Sequence, residues 1–326
     1  MASAAPPPAD DEALILEVGR LYRLHLVRVR HDLPMAGSPE RCAYRAVAAD
    51  GAGGLFVVER LLPNARAHKT HIADALVYLR QHSLAPVHPY LADGTGTHVL
   101  GYRGAYWQIM PYIAGVPLPR PGWVHDAWRG TALAEFLLGL RRASQTLPWA
   151  EAEPFSIAGY IQAFMETAAA HNPELLPDLD PVVVHLRQAF FPIHDRLPRT
   201  FCHGDYHPLN VIWRPGEMAA VIDWEFAGHK PELYDVATLL GCAGIEDPAA
   251  LDGPLAQALV GRLCAASDYA SAESWRSLPE LTLAVRFGWL AEWLRKRDAE
   301  MIELELDYMH LLLDRVEALR TIWHAA

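Results

Sequence analysis

Lysine is scarce in this chain: the 28 basic residues include only Lys69, Lys230 and Lys296, and the other 25 are arginines. A phosphate contact, which proteins often make with lysine, would here often have to be made by arginine. The formal net charge is -11. A nucleic-acid-binding surface normally shows as an excess of basic residues. We therefore expect no nucleic-acid partner.

Cysteine and long apolar runs are also sparse. The four cysteines lie far apart and form no C-x-x-C pair, which is typical of buried thiols in a reducing compartment and disfavours a zinc site. No run of about 18 apolar residues occurs, so no membrane span is expected. Residues 1–15 begin with small residues and prolines rather than with a signal peptide, and we predict a flexible tail. Together these features favour a cytoplasmic protein.

The order of predicted elements indicates an α+β protein with two unequal lobes. Strand patterns cover residues 24–30, 42–48 and 55–62, a helix pattern covers 67–82, and two short strands follow at 98–102 and 106–110. From about Trp123 the pattern is nearly all helical. We predict a small antiparallel sheet lobe over residues 16–110, a hinge over 111–115 and a larger helical lobe over 116–326.

One hairpin inside the helical lobe carries the chemistry. Strand patterns at 211–213 and 219–223 flank a turn at Gly216-Glu217, and Asn210 and Asp223 are equidistant from that turn. Regular pairing would make them cross-strand neighbours roughly 5 Å apart. An amide oxygen and a carboxylate that leave room for water and phosphate suit magnesium. Asn210 and Asp223 are therefore predicted Mg²⁺ ligands.

Asp205 lies in the loop that leads into this hairpin, five residues before Asn210. From there its carboxylate could accept a hydroxyl proton and orient the oxygen for attack on a γ-phosphate. An Asp-x4-Asn spacing followed by a metal-binding Asp is the arrangement of kinase catalytic loops. Asp205 is the predicted catalytic base, with ATP as co-substrate.

The segments His203-Gly204-Asp205-x4-Asn210 and Val221-Ile222-Asp223-Trp224-Glu225 resemble the aminoglycoside phosphotransferase and choline kinase-like family. The resemblance is specific over residues 201–241 and implies a protein-kinase-like fold, with the catalytic hairpin at 201–225. It also implies that His203 braces the catalytic loop and that Asp235 supports it. Asp235 precedes an apolar run, so a helix N-cap explains it as well.

The nucleotide side of the resemblance is less complete. Residues 109–115 are similar to a kinase hinge, which implies that the Pro111 carbonyl and the Ile113 amide hold adenine; proline is tolerated because only its carbonyl is needed. Kinases place a lysine on the third strand, where this chain has Glu59 and Arg60. We predict Arg60 as the phosphate contact, with Arg45 as the fallback. Between Asp32 and Glu40 there is no G-x-G-x-x-G.

Four assignments stay open at this stage. Glu225 is equally consistent with a metal ligand and with a solvent or substrate contact. Trp289 and Trp293 either pack a helix against the core or form an aromatic wall for an amino or sugar substrate. In the second case Glu292 or Asp298 would supply negative charge. The oligomeric state and the choice between ATP and GTP are not determined.

The leading hypothesis is an ATP-dependent, Mg²⁺-dependent phosphotransferase that acts on a hydroxyl of a small molecule, such as an amino alcohol, aminoglycoside or sugar-like compound. One alternative is a catalytically silent nucleotide-binding module, which the absent strand lysine motivates. A protein kinase is disfavoured because residues 223–235 are too few for an activation segment and Gly204 replaces the arginine of the kinase loop.

Overall fold

The structure, a computed structural model, describes residues 9–33, 42–150 and 154–324. The chain divides into two compact units. The first consists of Met1–Val116, Thr146–Pro148 and Ala219–Glu225; the second consists of Pro117–Gln145, Trp149–Met218 and Phe226–Ala326. Most of the 32–40 turn and residues 1–8 of the predicted tail lie outside the described residues.

The first unit contains a five-stranded antiparallel sheet in the order β1-β2-β3-β5-β4. The strands are Leu26–Val29 (β1), Cys42–Asp50 (β2), Leu55–Leu61 (β3), Leu100–Tyr102 (β4) and Ala105–Pro111 (β5). At the β2–β3 turn the Asp50 carboxylate accepts hydrogen bonds from the Ala52 and Gly54 amides, which is the usual way aspartate closes such turns. All five predicted strands are present, with shifted ends.

Two helices accompany this sheet, Ala9–Leu21 (α1) and Arg66–Gln81 (α2). Helix α1 buries Ile15 and Val18 against the sheet residues Val58 and Trp107. The predicted flexible tail is therefore wrong for residues 9–15, because this stretch has apolar residues to bury on one face of the sheet. Helix α2 covers the predicted 67–82 helix almost residue for residue.

The second unit is mainly helical. Its helices are Ala127–Ala143 (α3), Ile157–His171 (α4), Leu176–Ala189 (α5), Phe191–His194 (α6), Tyr234–Glu246 (α7), Pro254–Cys264 (α8), Ala272–Arg276 (α9), Leu278–Lys296 (α10) and Ala299–His324 (α11). Two antiparallel strands, Arg199–Cys202 (β6) and Gly228–Pro231 (β9), pair with each other. In the described parts of the chain no helix is both long and apolar enough to cross a membrane.

The predicted hairpin is formed by Val211–Arg214 (β7) and Glu217–Val221 (β8). Its second strand passes into the first unit, although the hairpin had been assigned to the helical lobe as a whole. The reason lies in two hydrogen bonds: the Val221 amide donates to the Pro86 carbonyl at 2.9 Å, and His88 Nε2 bonds the Ala219 carbonyl at 3.1 Å. The division between the units falls after Val116, one residue beyond the predicted hinge.

Candidate active site

The predicted catalytic loop, residues 203–210, starts directly after β6, in the second unit. Gly204 has φ 84°, and a Cβ added there would lie 2.0 Å from the Phe226 carbonyl oxygen. Glycine is the residue that tolerates both a left-handed conformation and so close an approach of another backbone segment. This explains why glycine stands where kinases that act on proteins have arginine.

Asp235 ties this loop to the first turn of α7. Its two carboxylate oxygens accept hydrogen bonds from the backbone amides of His203 and Gly204, both at 2.8 Å. Burial raises the pKa of Asp235, although these two hydrogen bonds act in the opposite direction. The N-cap of α7 is Leu233 rather than Asp235. The structure thus supports the loop-bracing reading of Asp235.

His203 braces the loop from within. Its ring is fully buried, and its Nδ1 accepts a hydrogen bond from the Asp205 amide at 3.3 Å. Tyr206, which directly follows Asp205, is also fully buried; it stacks on Phe136 of α3 and donates a hydrogen bond from its hydroxyl to the Leu133 carbonyl. The loop backbone on both sides of Asp205 is therefore anchored in the helical unit.

Asp205 itself is held through one carboxylate oxygen. Oδ2 accepts a hydrogen bond from Asn210 Nδ2 at 3.1 Å and lies 3.6 Å from His207 Nε2. Burial by itself raises the pKa of Asp205, but the interactions with His207 and Asn210 outweigh burial and hold the pKa of this carboxyl below its ordinary value. Asp205 is consequently ionised at neutral pH, which a hydroxyl-orienting base requires.

Asn210 ends a short 3-10 turn, Pro208–Asn210, just before β7. Its amide nitrogen also donates to the Asp205 carbonyl at 2.9 Å. Since the nitrogen faces Asp205, the amide oxygen is the atom that can ligate a metal. Asn210 is buried, with 8% of its surface exposed.

Asp223 lies two residues beyond the end of β8, with an exposed side chain and φ 63°. Neither Asp223 nor Asn210 belongs to a strand, so the regular cross-strand pair expected from the sequence does not form. The hairpin ladder ends earlier because Asp223 has a left-handed backbone that cannot continue a strand. The roles of both residues as metal ligands stay predictions.

A polar cluster, the Glu59 cluster, occupies one face of the sheet in the first unit: Arg45, Glu59, Lys69, Gln108 and Glu225. Glu59 on β3 is buried and accepts hydrogen bonds from Arg45 and Gln108. Burial by itself raises the pKa of Glu59, but the charges of Arg45 and Lys69 outweigh burial and lower it. Glu59 is therefore a buried, neutralised anion where a kinase has its lysine.

Arg60 faces the other way. Its guanidinium lies 3.8 Å from the Asp11 carboxylate. It also lies 6.0 Å from the ring centre of Tyr44 and 5.9 Å from that of Trp107, at the outer limit of a cation–π contact. Successive side chains of a strand point to opposite faces, so Arg60 points towards α1 while Glu59 points into the polar cluster. The structure does not bring Arg60 to this cluster, whereas it does bring the fallback residue Arg45.

Lys69 and Glu225 form a buried ion pair between the first turn of α2 and the residues after β8. Their side chains are 3% and 12% exposed. Glu225 is therefore engaged with a lysine, which neither of the two open readings had foreseen. The helix pattern over residues 67–82 puts Lys69 in a predicted first helical turn, but its partner is 156 residues away along the chain.

The predicted hinge follows β5. Pro111 ends this strand opposite Phe56, and the amide of Tyr112 donates to the Leu55 carbonyl at 2.9 Å. Ile113 comes directly after this last sheet hydrogen bond and is half-buried. The structure thus places Pro111 and Ile113 at the end of the sheet, and their contact with adenine stays a prediction.

Aromatic residues of α10 lie beside the catalytic loop. The rings of His207 and Trp289 are 5.4 Å apart and those of Trp289 and Trp293 are 6.0 Å apart; both tryptophans are partly exposed. No role was predicted for His207, although it lies only two residues after Asp205. The acids considered for this wall are engaged elsewhere: Glu292 pairs with Arg295 and Lys296, and Asp298 accepts from the Met301 amide.

Comparison with known proteins gives the chain a family. The model of the family described as "Phosphotransferase enzyme family" matches residues 18–275. Homoserine kinases of Rhodopseudomonas palustris and Gluconacetobacter diazotrophicus are each 28% identical, over 72% of this chain and 69% and 74% of their own lengths. The homoserine kinase of Caulobacter sp. is 27% identical, and the match spans 58% of its length.

Solved structures show the fold. An aminoglycoside phosphotransferase from Alicyclobacillus acidocaldarius has a TM-score of 0.64 at 15% identity, with 99% of this chain and 97% of that chain covered. The choline kinase LicA from Streptococcus pneumoniae has a TM-score of 0.61 at 15% identity, with 95% and 100% covered. The predicted α+β, protein-kinase-like fold is confirmed.

Proposed function

We propose that this chain, which belongs to the phosphotransferase enzyme family, transfers the γ-phosphate of ATP to the hydroxyl of a small alcohol that carries an amino group, with homoserine as the first compound to test. The chain is a small-molecule kinase. The observation that carries the proposal is the Asp205 carboxylate, ionised and held through Oδ2 by Asn210 and His207.

The proton transfer is assigned to one atom. Both described contacts of the Asp205 carboxylate are made by Oδ2, so Oδ1 is the oxygen that accepts the hydrogen bond of the acceptor hydroxyl. As the acceptor oxygen forms its bond to the γ-phosphorus, the bond from that phosphorus to the bridging oxygen breaks and ADP leaves. The hydroxyl proton passes to Oδ1. Because the loop around Asp205 is anchored, this oxygen is already oriented before substrate binds.

Asn210 and Asp223 are the proposed Mg²⁺ ligands. The donor set fits: the Asn210 amide oxygen and the exposed Asp223 carboxylate are hard oxygen donors, and magnesium takes few protein ligands beside phosphate and water. The described residues contain no group of three His, Cys, Asp or Glu side chains that could hold a metal, which is consistent with a site completed by the nucleotide. Bound Mg²⁺ supplies positive charge that screens the phosphate oxygens.

For the nucleotide we propose the Pro111 carbonyl and the Ile113 amide as adenine contacts, and Arg45 rather than Arg60 as the phosphate contact. The Arg45 side chain is 27% exposed and belongs to the Glu59 cluster. Burial by itself lowers the pKa of Arg45, but the charge of Glu59 raises it, so this cation is charged at every working pH.

The amino group of the acceptor is proposed from two supports. Several relatives are named homoserine kinase, and the partly exposed ring of Trp289 lies next to His207 beside the catalytic loop. Aromatic faces attract ammonium groups, by about 0.5–2 kcal/mol depending on desolvation.

The test is turnover of the purified chain with ATP and Mg²⁺ over homoserine, serine, ethanolamine, choline and a set of aminoglycosides, with ADP and the phosphorylated product both measured. We expect product from an amino alcohol, and we expect Asp205→Asn to lower kcat by about 10²–10⁴-fold without a comparable change in the KM for ATP. Phosphorylation that survives Asp205→Asn unchanged would contradict the mechanism. ATP binding without turnover on any acceptor would favour a silent module.

A further inference from the structure

The segment Asp223-Trp224-Glu225 is fixed by the first turn of α2, within the first unit. Lys69 Nζ donates to Glu225 Oε1. The neighbouring His68 Nε2 bonds the Glu225 carbonyl at 2.9 Å and lies 3.7 Å from its carboxylate. On the other side, Trp224 donates from Nε1 to the Val221 carbonyl at 3.1 Å. The residues that follow Asp223 are therefore held by both a side chain and a backbone contact.

The backbone of Asp223 needs such support. Its φ of 63° lies in the left-handed region, which is unfavourable for a residue with a Cβ and persists when the surroundings impose it. The contacts that Lys69 and His68 make with Glu225, two residues later, impose the direction of the chain after Asp223. We infer that Lys69 and Glu225 form a latch that holds the Asp223 carboxylate in its metal-binding position. Both are positioning residues, and the inference rests on the proposed function, in which Asp223 is a metal ligand.

Lys69 fits this role better than that of a phosphate contact. Its side chain is 3% exposed and its ammonium group is committed to Glu225, with the buried anion Glu59 as a second neighbouring charge. A phosphate could bind the Lys69 ammonium group only if Glu225 and Glu59 no longer interacted with it. Arg45 is the more exposed cation of the same cluster, with 27% of its side chain exposed. The two cations therefore have different roles: Arg45 contacts the nucleotide, and Lys69 holds the segment that carries Asp223.

A purely structural ion pair would make the same contacts, but it predicts different behaviour when both charges are removed. Lys69→Met alone leaves the Glu225 and Glu59 carboxylates without their shared cation in a buried setting, which destabilises a protein strongly and can prevent folding. The double variant Lys69→Met/Glu225→Met removes both partners of the ion pair, and Glu59 keeps its hydrogen bonds from Arg45 and Gln108, so the variant is expected to fold. It nevertheless lacks the latch.

The experiment measures metal binding rather than turnover. Free Mn²⁺ is titrated by electron paramagnetic resonance in the presence of the full chain and a non-hydrolysable ATP analogue. We expect Glu225→Gln and the double variant each to weaken Mn²⁺ binding by about 10-fold or more, which is the usual effect of losing a partner behind a metal ligand. Lys69→Arg, which keeps the positive charge, should bind Mn²⁺ about as tightly as the wild type.

Two further variants separate the possible failures. Arg66→Met removes a cation one turn earlier on α2, where it stacks on the Tyr106 ring at 4.9 Å, and should leave Mn²⁺ binding unchanged. Asp223→Asn should weaken it. If Asp223→Asn weakens binding while the folded double variant binds like the wild type, the latch is wrong and the proposed metal ligand stands. If Asp223→Asn binds Mn²⁺ like the wild type, the assignment of Asp223 is wrong and the latch falls with it.

Discussion

Replacing Gly204 by alanine should destabilise the catalytic loop and slow phosphoryl transfer. Two costs add at this position. A left-handed φ of 84° costs an alanine about 1–2 kcal/mol. The added Cβ would also lie 2.0 Å from the Phe226 carbonyl oxygen and 2.7 Å from Lys230 Cε, and relieving such overpacking costs about 1–3 kcal/mol. The free energy of unfolding should therefore fall by about 2–5 kcal/mol.

Gly216 provides the matched control, because it has φ 76° at the hairpin turn but no atom within 4 Å of its added Cβ. Gly216→Ala should lose only the backbone part, about 1–2 kcal/mol. The difference between the two variants in urea unfolding isolates the close approach of the loop to Phe226. Equal losses in the two variants would refute this reading of the loop.

The same substitution has a kinetic consequence. The relief of the contact must move the backbone of Gly204, and Asp205 moves with it. A displacement near 1 Å at a catalytic group can lower the rate by about 100-fold, so kcat of Gly204→Ala should fall by about that factor, while kcat of Gly216→Ala should stay close to that of the wild type. A Gly204→Ala enzyme with normal kcat would show that the loop does not need this anchoring.

The proposed phosphate contact, a buried ion pair and the ionisation of Asp205 can each be tested. Arg45→Met should raise the KM for ATP by about 10-fold, the loss of one charge-assisted contact, while Arg60→Met should leave that KM nearly unchanged; initial rates at varied ATP check both. Arg286→Met should lower the free energy of unfolding by about 3–5 kcal/mol in urea, since Glu305, fully buried and bonded to Arg286 at 2.6 and 2.7 Å, would lose its charged partner. The pKa of Asp205 is lowered in the folded chain, so its ionised form stabilises the fold above the unfolded pKa of about 3.9. This contribution disappears as the pH falls through the lower, folded pKa. The difference in unfolding free energy between the wild type and Asp205→Asn should therefore be constant at neutral pH and shrink below about pH 4.

Outcomes against these expectations are equally specific. A larger rise in the KM for ATP with Arg60→Met than with Arg45→Met would return the phosphate contact to Arg60. Arg262→Met is the control for the buried pair, because Arg262 pairs with Glu135 at the surface and its loss should cost at most about 1 kcal/mol. A difference between wild type and Asp205→Asn that stays the same as the pH falls below about 4 would mean that the Asp205 pKa is not lowered.

The sequence predicted the elements and residues whose signals are local. The strands of the small sheet, helix α2 and the hairpin at Gly216-Glu217 are marked by alternation, helical spacing and turn residues within a few positions. The brace by Asp235 followed from the resemblance. Helix α1 was missed because three prolines, at positions 6–8 of the sequence, precede it and residues 1–15 were assigned together to one tail, although Ile15 and Val18 are buried against the sheet.

The errors arise where a side chain's direction or a distant partner decides the role. Glu59 and Arg60 are adjacent and both polar, so the sequence alone does not show which of them faces the polar cluster; the pairing of β3 between β2 and β5 decides it. The hairpin ladder was extended to Asp223, whose left-handed φ ends it. The Lys69 contact with Glu225 needed the three-dimensional fold, because no local pattern relates residues so far apart.

The positions of the few lysines explain why this residue is scarce at the proposed phosphate site. Two of the three lysines are buried: Lys69 pairs with Glu225, and Lys230 lies 4.3 Å from the ring centre of Phe155 and 5.4 Å from that of Tyr234. A buried ammonium group is unfavourable unless specific contacts compensate its lost hydration. These two lysines are therefore kept for fixed internal positions. In the proposed function the contact with phosphate falls to an arginine, Arg45, whose planar guanidinium can stay bonded to Glu59 and still offer donors to a second anion.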